Sequence, residues 1–523
     1  MSFSGFTSSA LPTPEQTSYI ISVVRSGAPP PDVPSLRAII STAPPELERY
    51  DEELEQNRAE YQRLLSERNS LSSYAKSCNS LFAPVRRLPR ELLAEILDLC
   101  CLDENSSFSR TPDQEIANLS HRRLRQLAQV CTVWHQSAMG TPKLWRRVSV
   151  RTKLWGRSSV SPETLLSLLA FSLSQSGRYP LNLRLSATSL HPESLSVLAL
   201  VVKHSARWKD INMIVDTGLQ GALAGANGEL DQLTELRLSS VAIESDVFGQ
   251  APRLTKVSLE GTPRLTRLPD LPWQQLVTIT YKGKVGTESF NVLSLLSVAT
   301  KVRTVEFYLD MLRASSIDSW NSVTSNARSL ALRLAVHDAD LVGHIFDCLT
   351  LPNLRTLIFA PHADTIPVWE PNAFQCLASR STFQDHLTYL ILGARITDQQ
   401  LLDGLAVLPN LEKLRVFDYP SHTVITDTFL LGLHVSGADW EPLVPRLRVF
   451  YMTTAVEFTD SVYVDLVTSR VNFRREGSSS FEVHLRCRQT RKRDVSSELV
   501  EKMAKLESES DGGFTFMTRL LDR

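Results

Sequence analysis

The chain has 523 residues, enough for roughly two to four domains. With 42% hydrophobic and 22% charged residues it can bury a sizeable core. A net charge of −1 and a pI near 6.8 exclude a chain that coats nucleic acid or a membrane surface as a whole, while leaving room for local patches.

Seven cysteines at 78, 100, 101, 131, 348, 376 and 487 show no C-x-x-C spacing, which predicts reduced thiols in an intracellular setting, cytoplasmic and/or nuclear. The N-terminus lacks a basic region before its short apolar run at Tyr19–Val24, so no signal peptide is expected. No stretch approaches the eighteen or so apolar residues of a membrane span.

Residues 1–45 are rich in Ser and Pro, with Pro29-Pro30-Pro31 and Pro44-Pro45, and predict a disordered leader. From 46 to 80 the pattern turns helical and charged. Leu47, Tyr50, Leu54, Asn57, Tyr61, Leu64, Arg68, Leu71 and Ala75 follow alternating three- and four-residue steps, an a/d seam broken by Asn57 and Arg68. Two readings stay open here: a homodimeric coiled coil, or one amphipathic helix folded against the next domain.

Residues 84–147 form the next unit. Leu88-Pro89 opens a helix, where a proline loses no hydrogen bond. Leu92, Leu93, Ile96 and Leu97 recur at helical spacing, with Glu91, Glu95 and Asp98 on the other side. A polar segment at 103–120, rich in Ser, Asn, Asp and Glu, reads as a surface insertion. A second helix then carries Leu124, Leu127, Val130, Cys131 and Trp134, and a Gly140-Thr141-Pro142 break leads to Leu144-Trp145. So much apolar surface on two small helices implies a partner.

These residues, LPRELLAEIL, LRQLAQVCTVWHQSA and PKLW, resemble an F-box: Leu-Pro before a first helix, Val-Cys-x-x-Trp in a second, and a late Leu-Trp. The 103–120 segment is longer than the family's usual connection. What the resemblance implies is docking on a Skp-type adaptor protein of a cullin complex. The residues that would carry it are Leu88, Pro89, Leu92, Ile96, Val130, Cys131 and Trp134, some of them shared with the domain's own core. Leu144 and Trp145 are expected to join this unit to the first repeat of the C-terminal region.

From 160 to 490 short apolar triplets of the form L-x-x-L-x-L recur eleven times, from Pro180/Leu183/Leu185 to Leu447/Phe450/Met452. Most intervals fall in the 20–29 residues of a leucine-rich repeat. The clearest unit runs from His386 to Asp418: a strand, a helix opened by Thr397-Asp398 that buries Leu401, Leu402, Leu405 and Leu408, then Pro409-Asn410 and the next strand. The two shortest intervals leave room only for loops or one helical turn. This resembles a degenerate leucine-rich-repeat array, because SSVAI after Leu238 and GARIT after Leu392 lack the Asn ladder of regular repeats.

The expected fold is therefore α plus α/β: a coiled-coil-like helix, a small helical F-box and an irregular solenoid of parallel strands with outer helices or loops. Candidate partner-reading positions on its strands are Glu235, Arg237, Arg355, Arg415 and Arg448. At the end of the strand-like run Phe481–Cys487 and just after it come Arg486, Arg488, Arg491, Lys492 and Arg493, read as edge charges that blunt strand pairing or as a nuclear address. Residues 491–523 are expected to be a helix with a polar tail.

No catalytic pattern emerges. Gly221, Gly225 and Gly228 lack the spacing and the lysine of a phosphate loop. His484 and Cys487 have no second ligand pair, no Ser lies in a G-x-S-x-G elbow, and Cys131 reads as a small hydrophobe on the apolar face of the second helix. The expectation is a non-catalytic protein without cofactor, metal, nucleic-acid or membrane partner.

The combination resembles F-box proteins with C-terminal degenerate leucine-rich repeats, similar to the expanded fungal F-box families. It implies the substrate-receptor subunit of a cullin–RING ubiquitin ligase, its repeats holding an unknown protein substrate. The alternative is a scaffolding protein that dimerises through 46–80.

Overall fold

The structure is a computed structural model. It describes residues 13–29, 33–101, 121–155, 161–226, 228, 230–239, 246–261, 270–285, 293–311, 320–335, 339–362, 365–435, 442–475, 480–488, 495–510 and 512–520. The chain divides into two compact units, Met1–Leu93 and Ala94–Arg523.

In the first unit the described residues of the expected leader are largely helical. Helix α1 (Pro14–Ser26) starts at a capping box in which Thr13 and Gln16 satisfy each other's backbone N–H, and it ends at Gly27 in the left-handed conformation that suits glycine. Helix α2 (Val33–Leu81) then runs through Pro44 and Pro45 at the cost of backbone hydrogen bonds. The proline pair therefore does not mark the helix start that composition suggested; the Glu-, Arg- and Leu-rich stretch after it extends backwards across it. Surface pairs Glu46–Arg49–Glu53 and Glu60–Arg63–Glu67, three and four residues apart, decorate one side. Leu47, Leu54, Tyr61, Leu64 and Leu71 of the seam are exposed.

In the second unit a single sheet holds fourteen strands, all parallel and in strictly sequential order. They are β1 (Arg147–Arg151), β2 (Leu181–Ala187), β3 (Trp208–Val215), β4 (Glu235–Ser239), β5 (Lys256–Glu260), β6 (Thr278–Val285) and β7 (Thr304–Met311). The order continues with β8 (Ser329–Ala335), β9 (Thr356–Pro361), β10 (Tyr389–Leu392), β11 (Lys413–Phe417), β12 (Val449–Thr454), β13 (Phe481–Cys487) and β14 (Phe514–Leu520).

All eleven apolar triplets place their last two residues on strands β2 to β12. One register row runs through the sheet: Val148, Leu183, Ile211, Leu236, Val257, Ile279, Val305, Leu330, Leu357, Leu390, Leu414, Phe450, Val483 and Phe516. From β1 to β13 this row and the one two residues on face the helices and form a continuous buried core, with Phe516 of β14 partly buried against it. A two-residue period on each strand, repeated once per turn of chain, is what makes the sheet solenoid-like.

The connections follow the room available. Between β4 and β5, and between β5 and β6, the described residues hold the short 3₁₀ turns Asp246–Phe248 and Trp273–Gln275. Longer connections hold helices: α6 (Pro162–Gln175), α7 (Glu193–Val202), α8 (Ala339–Asp347), α9 (Pro371–Arg380), α10 (Asp398–Ala406), α11 (Asp427–Leu433), α12 (Asp460–Arg475) and α13 (Ser497–Glu509). In α10 the capping box of Thr397 and Gln400 forms, and Leu401, Leu405 and Leu408 are buried.

In place of an Asn ladder, the last helices are cross-braced at their N-termini. Thr426, which caps α11, donates its hydroxyl to Asp398 of α10 (2.9 Å). Thr459 donates both its N–H and its hydroxyl to Asp427 of α11 (2.6 and 2.5 Å). Ser496, which caps α13, donates to Asp460 of α12 (2.5 Å). Each aspartate thus complements its own helix dipole and binds the cap of the next helix.

The C-terminus departs from expectation. Beyond α13 the chain forms β14, which pairs in parallel along β13 from Phe481↔Phe514 to Cys487↔Leu520. Phe514, Phe516 and Leu520 supply the alternation of a strand, a signal the tail's polar residues obscured. β13 is therefore not the sheet edge, and Arg486 does not blunt one. Arg491, Lys492 and Arg493 lie outside the described residues.

Candidate functional site

Helix α3 (Arg90–Cys100) begins just after Leu88-Pro89, with Leu93 donating its N–H to Pro89 O (3.0 Å). Its four apolar residues at helical spacing divide between two stripes. Leu93 and Leu97 are buried; Leu92 is 52% exposed, Ile96 is half-buried, and Leu99, which spacing alone places with them, is 62% exposed. Leu88 is half-buried and Pro89 exposed.

The expected second helix is two. α4 (Arg122–Ala128) and α5 (Thr132–Met139) are separated by a break at which Cys131 is extended (φ −164°, ψ 171°) as the residue preceding α5. Cys131 is thus not on a helix face as periodicity suggested, because neither it nor Val130 continues the α4 turn. Leu124, Ala128 and Ala138 are buried, whereas Val130 is 61% and Val133 45% exposed, with Cys131 and Trp134 half-buried. The 103–120 insertion lies outside the described residues.

Two groups hold this region to the sheet. Asp98, expected on a solvated face, takes the guanidinium groups of Arg147 (2.6 Å) and Arg146 (3.3 Å), and the Lys143 ammonium stands 3.5 Å away. Trp145, in the 3₁₀ turn Pro142–Trp145, is fully buried. Its indole Nε1 donates to Ala138 O of α5 (2.8 Å), and its ring meets Phe171 of α6 edge-on at 5.5 Å. Leu144-Trp145 therefore bridges the small helices and the first sheet helix, as expected of a joining segment.

The sheet face away from the helices is the second surface. On its N-terminal strands charges are matched. Glu235 pairs with Arg237, Arg237 lies 3.8 Å from Asp210, and Lys282 pairs with Glu260 (2.6 Å). Burial, then Glu235, pushes the Asp210 carboxyl above the usual carboxylate range, while burial, then Arg237, lowers Arg184. Toward the C-terminus rings dominate. The Arg415 guanidinium lies 4.7 Å from the Phe417 ring centre and 5.9 Å from that of Tyr451, and Tyr451 stacks on His484 at 4.1 Å. Arg333 and Lys282 lie 5.5 and 5.0 Å from the Tyr308 ring centre, and Arg488 5.0 Å from that of Tyr419, whose phenol burial pushes up to about 12.

Of the five strand candidates, Glu235, Arg237 and Arg415 lie on this open face. Arg355 and Arg448 do not: each precedes its strand by one residue and is out of phase with the open row. Sequence reading missed Arg333, Tyr308, Tyr451 and His484, although each sits between two core residues of its strand and was identifiable by that alternation. Among the described residues no group of three or more metal-ligating side chains gathers, and no helix is long and apolar enough to cross a membrane.

Residues 85–151 match the family model described as F-box-like. The chain thus carries an F-box-like domain, spanning α3, α4, α5, the Leu144-Trp145 turn and β1. No curated protein matches the chain.

Proposed function

We propose that the protein is a substrate-receptor subunit of an SCF-type cullin–RING ubiquitin ligase, its F-box docking on a Skp-type adaptor and its parallel sheet, a degenerate leucine-rich-repeat solenoid, holding a protein substrate. The F-box-like match over 85–151 carries this reading. Further support comes from the apolar side chains that this small domain leaves in solvent: Leu92, Leu99, Val130 and Val133. Leu88, Pro89, Leu92, Ile96, Val130, Cys131 and Trp134 make the adaptor contact, joined by Leu99 and Val133. The protein itself performs no bond chemistry; it brings the substrate to the ligase.

The test is co-purification. The intact chain retains the adaptor, and a Leu88→Ala/Pro89→Ala/Leu92→Ala variant loses it. Absence of adaptor binding by the wild type at about micromolar concentration overturns the reading.

A second reading concerns α2. Its exposed row of Leu47, Leu54, Tyr61, Leu64 and Leu71, spaced as an a/d seam, favours pairing with a second copy of the chain. It is compatible with the first reading and, without adaptor binding, would leave a dimeric scaffold.

A further inference from the structure

The open sheet face changes character along the array. From β8 onward its in-phase positions carry Arg333, Lys413, Arg415, Arg486 and Arg519, against one carboxylate among the described residues, Glu482. Glu482 is already engaged by His484. On strands β3 to β6, by contrast, Asp210, Glu235 and Glu260 answer the nearby cations.

Two of the unanswered cations are held in place. Arg415 lies against Phe417 and Tyr451, and Arg333 against Tyr308. Neither has a carboxylate within ion-pair distance among the described residues, and the Nε of each is buried without a hydrogen-bond partner. Aromatic contacts hold a guanidinium by its face and leave its N–H edge for an oxyanion.

Between them the floor is apolar. Ala331, Ile358, Ile391 and Arg415 are consecutive register partners on β8 to β11, and Arg333 follows Ala331 by two residues. The two arginines thus stand three strand spacings across and two residues along the strand direction, about 16 Å apart at their Cα atoms. Four residues of extended chain span about 13–14 Å, the long Arg and Glu side chains reach across the remaining two or so, and residues i, i+2 and i+4 of such a chain point the same way.

Resting on the receptor reading above, we infer that this face binds an extended acidic segment of a protein, with carboxylates at i and i+4 engaging Arg333 and Arg415 and an apolar side chain at i+2 lying over Ile358 and Ile391. Charge complementarity selects the occupant: a basic or neutral segment leaves both guanidinium edges unanswered.

The experiment uses the full chain and a fluorescein-labelled peptide of sequence Gly-Glu-Ser-Leu-Ser-Glu-Gly, followed by anisotropy. The wild type gives saturable binding that weakens with salt, falls at least roughly tenfold in Arg333→Gln/Arg415→Gln, and is absent for the peptide with Gln in both Glu positions. The Gln peptide keeps the test independent of how the variant folds, and circular dichroism checks the variant itself. Equal binding of the Gln peptide, unchanged affinity in the folded double variant, or binding only of a phosphoserine version or of a single-stranded oligonucleotide overturns the inference. A chain that retains the adaptor but gives no saturable binding to the Glu peptide removes this inference alone. One that binds the peptide as described but not the adaptor removes the receptor reading alone.

Discussion

Individual residues hold the array together where the chain leaves regular structure. Asp418, at the end of β11, is fully buried and accepts from the N–H groups of Val424 (2.8 Å), Ile425 (3.0 Å) and Ala455 (3.1 Å). Asp418→Ala leaves those three donors without this acceptor and is expected to cost about 3 kcal/mol or more, read as a fall in denaturation midpoint. Trp145→Phe removes one buried hydrogen bond and should cost about 1 kcal/mol, whereas Trp145→Ala also opens a cavity beside Phe171 and should cost about 3–5 kcal/mol. Equal losses in the two Trp145 variants would contradict the role given to packing. Trp145 was legible from its place in the Leu-Trp motif. Asp98 was not: its helical position reads as solvated, and only the fold brings Lys143, Arg146 and Arg147 to it. Leu92 and Leu93 are likewise adjacent and equally apolar, so nothing local says that one is buried and the other exposed.

At the scale of elements, strands were far more legible than helix boundaries. Each strand needs only two inward apolar residues, and every expected triplet supplied them. Apolar residues continue across Gln129–Cys131 and so hide the break between α4 and α5 in the sequence, and Pro44-Pro45, a pair that ordinarily ends helices, hides the start of α2. The cross-brace that replaces an Asn ladder does have a signature, the Thr-Asp pairs at Thr397, Thr426 and Thr459, although only the first stands inside a repeat regular enough to single it out. Asp427→Ala removes the acceptor of both Thr459 donors and a negative charge at the start of α11. A loss of about 1–2 kcal/mol is expected, measured by chemical denaturation; an unchanged midpoint would remove the brace as a stabilising element. For α2, sedimentation equilibrium of the full chain should show a dimer that Leu54→Lys/Leu64→Lys converts to monomer. A wild-type chain that is monomeric at every concentration excludes pairing through that seam.

For the whole molecule, a sequential parallel sheet has each strand contacting only its neighbours, so its ends need protection. Strand β14 covers β13, and Phe481 donates its N–H to Gly513 O (2.8 Å). Removing 497–523 uncovers β13 together with the buried Leu499 and Met503 sites, and should lower both soluble yield and melting temperature; a truncated chain as stable as the intact one would show that this segment is no cap. The repeat order was readable from spacing, and the F-box-like domain from its motif. The chemistry of the open face was not readable, because which charges are answered depends on neighbours some thirty residues away in sequence. The proposed ligase role turns on the F-box contact. Calorimetric titration of a purified Skp-type adaptor into the intact chain tests it most directly. The expected result is binding at about micromolar concentration or tighter, with the negative heat-capacity change of apolar burial, weakened at least ~100-fold in Leu92→Asp/Val130→Asp, a change confined to side chains that already face solvent. No binding by the wild type, or equal binding by that variant, would contradict it.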